Sequence, residues 1–475
     1  MRGIMASQDL PNGFTGFAQR KPGFVSASDA MRKTVAPAGG ASRPQAAADA
    51  DASALGGAPR GSFQYARDRA REGAPDADAG TASSLAFDLD AIDAQSDLER
   101  RWAWVEIDLG AIRHNVMEAR RRLPRACRLL AVVKADAYGH GSEQTAKMAL
   151  NSGADYLGVA TVVEGMRLRR AGVTAPVLIL SQPPATSIPA LLAYNIMPAV
   201  YDPEFAIRYA ETADTHGMRA PFHLAVNTGM NRIGVRFDEV AAFMMQVGFH
   251  RALDLEGTFT HFATADGADT FDFEMQARRF VEAVTSLRQM GVSPGIVHAA
   301  NTAAFIRYPE VHFDMVRLGI GMYGYHPCPE TQRLIDLRPA MSVHARITDT
   351  RLVPTSEGVS YGLNYRSPGS VKICTIPIGY ADGLVRALSG RIDFVLEGRL
   401  FRQVGNICMD QCMFEADMRS YGTRKRIDPQ VGDEVLVVGR QGDAVTSIDD
   451  MAAKLGTISY ELCIGFSHRM PKIYR

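Results

Sequence analysis

The chain lacks the marks of a membrane, secreted or nucleic-acid-binding protein. Lysine plus arginine and aspartate plus glutamate balance at 52 each, so there is no net field to draw in nucleic acid or an anionic membrane. No apolar run approaches the roughly eighteen residues that a membrane-spanning helix needs. No continuous apolar stretch follows the first basic residue, which argues against a secretory signal. Cysteines are few and scattered: Cys127, Cys328, Cys374, Cys408, Cys412 and Cys463. Only Cys408 and Cys412 lie close together, and nothing near them completes a zinc set, so no metal is expected. Reduced thiols and a cytoplasmic setting follow. No internal repeat is evident.

At 475 residues the chain is long enough for two or three domains. Residues 1–98 are rich in Ala, Gly, Asp, Ser and Pro and bury too little apolar surface to offset the entropy of ordering them. They read as disordered, with an organelle-targeting peptide and a misassigned start both left open. Order begins near Arg101, where Trp102–Asp108 alternates like a half-buried strand and a helix is expected from Ala111. Eight short apolar runs then alternate with helix-length spacers: Leu129–Lys134, Tyr156–Thr161, Val177–Leu180, Met197–Val200, His223–Asn227, Leu255–Phe262, Ile296–Ala300 and Met315–Leu318. That rhythm predicts a (β/α)8 barrel over 99–338. Beyond about Arg338, Val-, Ile- and Thr-rich runs separated by glycine turns predict a second, mostly antiparallel β domain over 339–475.

Barrels of this kind carry their chemistry where strands end. Here Lys134 closes the first run, followed by Ala135-Asp136-Ala137-Tyr138-Gly139-His140-Gly141. A lysine in an apolar setting loses its proton more easily and can form a Schiff base; the plain alternative is a side chain that snorkels to the surface. Later strand ends supply Asn227 to Gly234, Thr260-His261-Phe262, His298 to Thr302, and Arg317-Leu318-Gly319-Ile320. Taken singly, His261 reads as a core histidine and Arg317 as half of a salt bridge. The second region adds Ser360-Tyr361-Gly362, Gly379-Tyr380-Ala381-Asp382-Gly383, Cys408-Met409-Asp410-Gln411 and, near its end, Ser459-Tyr460-Glu461.

Together and in this order, these stretches resemble the alanine racemase family, a fold-type III group dependent on pyridoxal 5'-phosphate (PLP), from about residue 101 to the end. The resemblance implies that Lys134 holds PLP and acts as one base, with Tyr361 as the second base on the opposite face of the substrate's α-carbon. His261 would stabilise the Tyr361 anion, and Arg317 would face the pyridine nitrogen. Tyr138, Asn301, Thr302, Gly319, Ile320 and Tyr460 match cofactor-binding positions. Arg232 would contact cofactor and substrate carboxylate, Met409 the same carboxylate, and Tyr380 and Arg386 the access path. In the family Tyr361, Tyr380 and Met409 come from a second subunit, which implies a homodimer with shared sites. The implied activity interconverts L- and D-alanine and so supplies D-alanine for peptidoglycan.

One departure stands out. The family's usual loop has a lysine, typically carbamylated, two residues before an aspartate, whereas this chain reads Ala225-Val226-Asn227. That pair resembles the broad-specificity amino-acid racemases, while Met230-Asn231-Arg232-Ile233, Ile458 and Tyr460 resemble the alanine enzymes. A buried Arg232 without the carbamate would need another anion, and chloride between Asn227 and Arg232 is expected. Two rivals share the barrel. PLP-dependent decarboxylases are disfavoured by Arg317 and by the absence of a Gly-Gly-Gly stretch; small PLP-carrier proteins lack the β domain.

Overall fold

The computed structural model describes residues 101–416, 427–466 and 469–475. The segment 1–98, read above as disordered, lies outside them. Strand β1 (Ala103–Ile107) is followed by the helix Leu109–Arg122, whose first turn is capped by Asp108 Oδ1 accepting the Ala111 N–H at 2.9 Å. Arg120, Arg121 and Arg122 close that helix, where cations complement its dipole.

All eight expected barrel runs are strands. They are β2 (Arg128–Val132), β3 (Tyr156–Val159), β4 (Val177–Ile179), β5 (Met197–Val200), β6 (Ala220–Asn227), β8 (Leu253–Phe259), β9 (Ile296–His298) and β10 (Met315–Leu318). A two-residue strand β7 (Val235–Arg236) pairs only with β6. Every pairing between neighbours is parallel, in the order β10-β2-β3-β4-β5-β6-β8-β9. Backbone bonds from Arg317 N–H to the Ala300 carbonyl and from Asp314 N–H to the Val297 carbonyl, both 2.9 Å, bring β9 and β10 together and close the ring. β3, β4, β5, β9 and β10 are buried at every residue, as parallel strands covered on both faces must be.

The second region is a largely antiparallel sheet running through Met341–Arg346, Asp349–Val353, Val371–Ile376, Asp393–Leu396, Arg399–Val404, Cys412–Ala416 and Glu434–Gln441. Strand β1 differs from expectation, because it joins this sheet and not the barrel. It pairs antiparallel with Met341–Arg346 and parallel with the last strand, Lys472–Tyr474. Four of its five residues are buried, where the alternation suggests a half-buried strand. The chain's first and last described strands thus lie side by side, and the C-terminal residues come back to the first barrel loop.

Candidate active site

Strand β2 stops at Val132, and Lys134 stands two residues further on, at the barrel mouth. Ala135, Asp136, Ala137 and Tyr138 all have φ between 51° and 55°. A left-handed turn costs roughly 1–2 kcal/mol for each such residue, so four in succession need outside support. The Ala135 N–H donates to Glu164 Oε1 at 2.7 Å, and Asp136 Oδ1 accepts the Ser142 N–H at 2.8 Å. Asp136 Oδ2 also pairs with Lys472 Nζ at 3.0 Å. A side chain at Gly139 would run into the Cys463 carbonyl, and one at Gly141 into the Tyr474 hydroxyl. The C-terminal residues therefore clamp the turn that carries Lys134.

Above the turn opens a cavity of about 260 Å³ whose walls include Lys134, Ala225, Arg232, Phe259, His261 and Arg317. Its charged walls are three cations, with no carboxylate among the lining residues. Burial first, then Arg232 and Arg317, hold the Lys134 amine below the usual lysine range. Burial and the cations Arg317, Arg232 and Lys134 likewise keep His261 neutral, well below the usual histidine range.

Arg317 is buried among acceptors. It donates to His298 Nδ1 at 2.9 Å, His261 Nδ1 at 3.0 Å, and the Thr260 and Ala299 carbonyls at 2.8 and 2.9 Å. Its guanidinium also lies 5.5 Å from the centroid of the Phe259 ring. Burial and Arg232 push it down to about 9, still charged at neutral pH. A guanidinium only donates, so both histidines must accept at Nδ1 and carry their proton on Nε2. For His261 that leaves an N–H available at the cavity. For His298 the Nε2 proton goes to His223 Nδ1, 2.9 Å away, and the His223 proton falls on Nε2, which has no partner. One cation thus sets the tautomers of three histidines.

On the other side of Lys134, an added Cβ at Gly319 would come within 3.2 Å of the Tyr138 hydroxyl and 3.8 Å of the Thr302 hydroxyl. Thr302 Oγ1 accepts the Gly319 N–H at 3.0 Å, and the ring of Tyr460 lies 5.9 Å from that of Tyr138. Ile320 follows at the start of a buried turn. Hydroxyls and backbone N–H groups around a space that a side chain at position 319 would crowd suit a phosphate. With three cations in the cavity beside it, these residues fit PLP. Asn301 stands next to them with its side chain already engaged: Oδ1 caps the helix Thr302–Arg307 through the Ala304 N–H, and Nδ2 donates to the Phe262 carbonyl.

Tyr361, Tyr380 and Met409 do not line the Lys134 cavity of their own chain. They gather in the second region and are 74%, 42% and 53% exposed. Tyr380 N–H donates to the Cys408 carbonyl and Ala381 N–H to that of Met409, both at 3.0 Å. The backbone before Tyr361 is strained. Ser360 sits at φ 68°, ψ −179°, a conformation close to glycine-only. It is held by its hydroxyl donating to the Asn406 carbonyl at 2.7 Å, while the Asn406 amide donates to the Tyr361 carbonyl, also at 2.7 Å. Arg386 is exposed in a neighbouring 3-10 turn. Arg232 is exposed as well, where a buried cation was expected, and it has no ion-pair partner among the described residues. Sequence reasoning passed over Glu164, although Thr161-Val162-Val163-Glu164 is a capping-box pattern. It also gave no role to His223 or His298, which nothing local distinguishes from core histidines.

A closed parallel barrel with a low-pKa lysine at one strand end and a phosphate cradle beside it defines a barrel-type PLP enzyme. Family models described as "Alanine racemase, N-terminal domain" and "Alanine racemase, C-terminal domain" match residues 107–327 and 340–474. The chain belongs to the alanine racemase family. It is 40% identical over 377 residues to an alanine racemase of Nostoc sp., covering 78% of this chain and 95% of that one. An alanine racemase of Synechocystis sp. is 41% identical over 375 residues, covering 79% and 99%. The crystal structure of alanine racemase from Bacillus anthracis with bound L-Ala-P superposes with a TM-score of 0.73 at 36% identity, covering 79% of this chain and 95% of that one.

Proposed function

We propose that the chain interconverts L- and D-alanine with PLP by a two-base mechanism, Lys134 from one copy and Tyr361 from a second. The observation that carries it is the division of the site. No tyrosine lines the cavity around Lys134, while Tyr361 stands exposed in the other region of the same chain. Lys134 would hold PLP, with Tyr138, Thr302, Gly319, Ile320 and Tyr460 around the phosphate, Arg317 towards the ring nitrogen and Asn301 fixing the phosphate loop. When bound, PLP supplies an electron sink for the negative charge that develops at the α-carbon.

The chain's own residues do the rest. Lys134 Nζ, its pKa lowered by burial and two arginines, loses its own proton more readily and can take one from the α-carbon. Tyr361 Oη returns one from the opposite face, and the reverse direction exchanges the roles. A phenol has an unperturbed pKa near 10, so its anion needs stabilising. The tautomer that Arg317 imposes on His261 leaves Nε2–H to donate to that oxygen. Arg232 and the backbone of Met409 receive the substrate carboxylate, and Tyr380 and Arg386 line the way in.

The assembly is a homodimer with two shared sites, since one chain alone lacks a base at each cavity. Chloride between Asn227 and Arg232 stands in for the carbamate that Ala225 cannot carry. No helix among the described residues is long and apolar enough to cross a membrane, and the working compartment is the cytoplasm, where D-alanine is supplied for peptidoglycan. Incubation with L-alanine followed by separation of the enantiomers tests the reading, with an approach to equal amounts expected. Release of carbon dioxide, or no turnover with PLP bound, would overturn it. Ala225 and Asn227 favour one second reading, a broader substrate range, and the same assay over single L-amino acids decides between the two.

A further inference from the structure

Glu164 does two jobs with one carboxylate. Its Oε2 accepts the N–H groups of Ala160 at 2.8 Å and Thr161 at 3.2 Å, while its own N–H donates to the Thr161 hydroxyl at 3.2 Å. That is a capping box, and it is all that the helix Val162–Arg170 requires. The other oxygen leaves the helix. Oε1 accepts the N–H of Ala135 at 2.7 Å, the residue directly after Lys134 and the first of the four in the left-handed turn.

The charges around the Lys134 amine come from four elements. Arg232 stands in the loop after β6, His261 after β8, Arg317 on β10 and Glu164 on the helix after β3. The arginines are positive, the histidine is neutral, and Glu164 alone of the four is negative.

We propose that Glu164 is a positioning residue for Lys134, anchoring the turn that aims its amine and setting a negative charge against the two arginines it faces. The proposal rests on the reading of Lys134 as a proton carrier. The charge matters because a base whose pKa falls too far takes a proton poorly. Burial, Arg232 and Arg317 all push the amine down, and Glu164 opposes them. Its bond to Ala135 matters separately, because a turn set in a disfavoured conformation relaxes once an anchor is cut.

Three variants separate these effects. Glu164→Gln removes the charge, Glu164→Asp keeps it on an arm too short to span both contacts, and Thr161→Ala weakens the cap alone. For Glu164→Gln we expect kcat to fall roughly 10- to 100-fold with KM within about threefold, the size of a misplaced acid–base group. The titration of Lys134 is read separately, in cofactor-free full-length protein, by competitive acetylation and peptide mass spectrometry. Glu164→Gln should move its midpoint to lower pH, since a neighbouring anion has been lost. Glu164→Asp should lose kcat with the midpoint unmoved, and Thr161→Ala should lower the melting temperature with kcat and midpoint unmoved.

Unchanged kcat and midpoint in Glu164→Gln would overturn the proposal, and so would an equal loss of kcat in Thr161→Ala, which would make Glu164 a helix cap and nothing more. If Glu164→Gln does not fold, Glu164→Asp decides: wild-type kcat there overturns the anchoring. Full activity in Lys134→Ala would instead break the underlying reading, whatever the Glu164 variants do.

Discussion

The barrel and the second region treat their functional side chains in opposite ways. In the barrel, Arg317, His298 and His223 are buried, and they bond to one another and to backbone carbonyls of the same chain, with His223 Nε2 left unpartnered. In the second region, Tyr361, Tyr380 and Met409 are exposed on loops whose backbone is nonetheless tightly bonded. Rigid backbone beneath exposed side chains is what a surface needs if it is to be covered by something with a fixed shape. The barrel half supplies electrostatics already set by buried groups of the same chain, and the other half offers side chains left exposed on a bonded backbone.

The sharpest way to break this contrast is to disable each half in turn. Lys134→Ala should abolish turnover and the covalent attachment of PLP, seen as loss of the borohydride-fixed cofactor on that peptide. Tyr361→Phe should lower kcat by about 10²–10⁴-fold, the span of a lost acid–base group. Mixing the two inactive chains sharpens it further. In a head-to-tail dimer, one site of each hybrid has both bases and the other has neither. Random pairing should therefore restore about a quarter of wild-type activity. Subunit exchange confirmed by mass, with strictly no recovery, would place both bases in one chain.

The same contrast governs what could be read without coordinates. All eight barrel strands were legible, because strands buried on both faces write themselves as short apolar runs between helix-length spacers. Strand β1 showed as a strand but not in its sheet, since its partners, Met341–Arg346 and Lys472–Tyr474, lie more than two hundred residues away. Lys134 and its neighbours were legible through the family resemblance. What held them was not: the left-handed turn, the Lys472 pair and the second oxygen of Glu164 are tertiary facts without a local signature. The expectation that Arg232 is buried does not hold in the single chain, because exposure depends on which loops fold over it.

A smaller effect should appear in the acid stability of the barrel. Burial holds His140 at about 4 and His223 at about 3, and keeps His298 well below the usual range. An unfolded histidine takes up its proton near 6.5. These depressed values thus contribute stability that is fully present above about 6.5 and is lost as pH falls towards the folded values. The slope should approach about 1.4 kcal/mol per pH unit for each histidine still neutral in the fold. Urea midpoints measured between pH 7 and 4 check this. His223→Phe should flatten the slope, and a slope unchanged in that variant would show that His223 is protonated in the fold or reached by water.

The smallest effect expected is that of chloride, and it bears on a cavity cation, Arg232, without an ion-pair partner among the described residues. Ala225 packs with Ala199, Phe259 and Tyr201, so neighbours fill part of the volume that a longer side chain would occupy. Asn227 is also engaged, accepting the N–H groups of Gly229 and Asn231 and donating one amide hydrogen to the Asn231 side chain at 3.0 Å. Its second amide hydrogen has no partner among the described residues and would be open to an anion. Because Arg232 is exposed in the single chain, solvent screens it and the anion adds little stability there, of the order of an exposed ion pair, about 0–1 kcal/mol. The gain should show in activity, where Arg232 must be held towards the substrate carboxylate. In halide-free buffer, kcat/KM should rise a few-fold with added chloride, by roughly the tenfold or less that 1.4 kcal/mol allows. Asn227→Ala should weaken that response, and Ala225→Lys should remove it if the new lysine gains a carbamate. Activity indifferent to chloride in the wild-type enzyme, with no anion density beside Arg232 in a crystal grown with bromide, would refute the site and leave the packing of Phe259 and Tyr201 as the whole replacement.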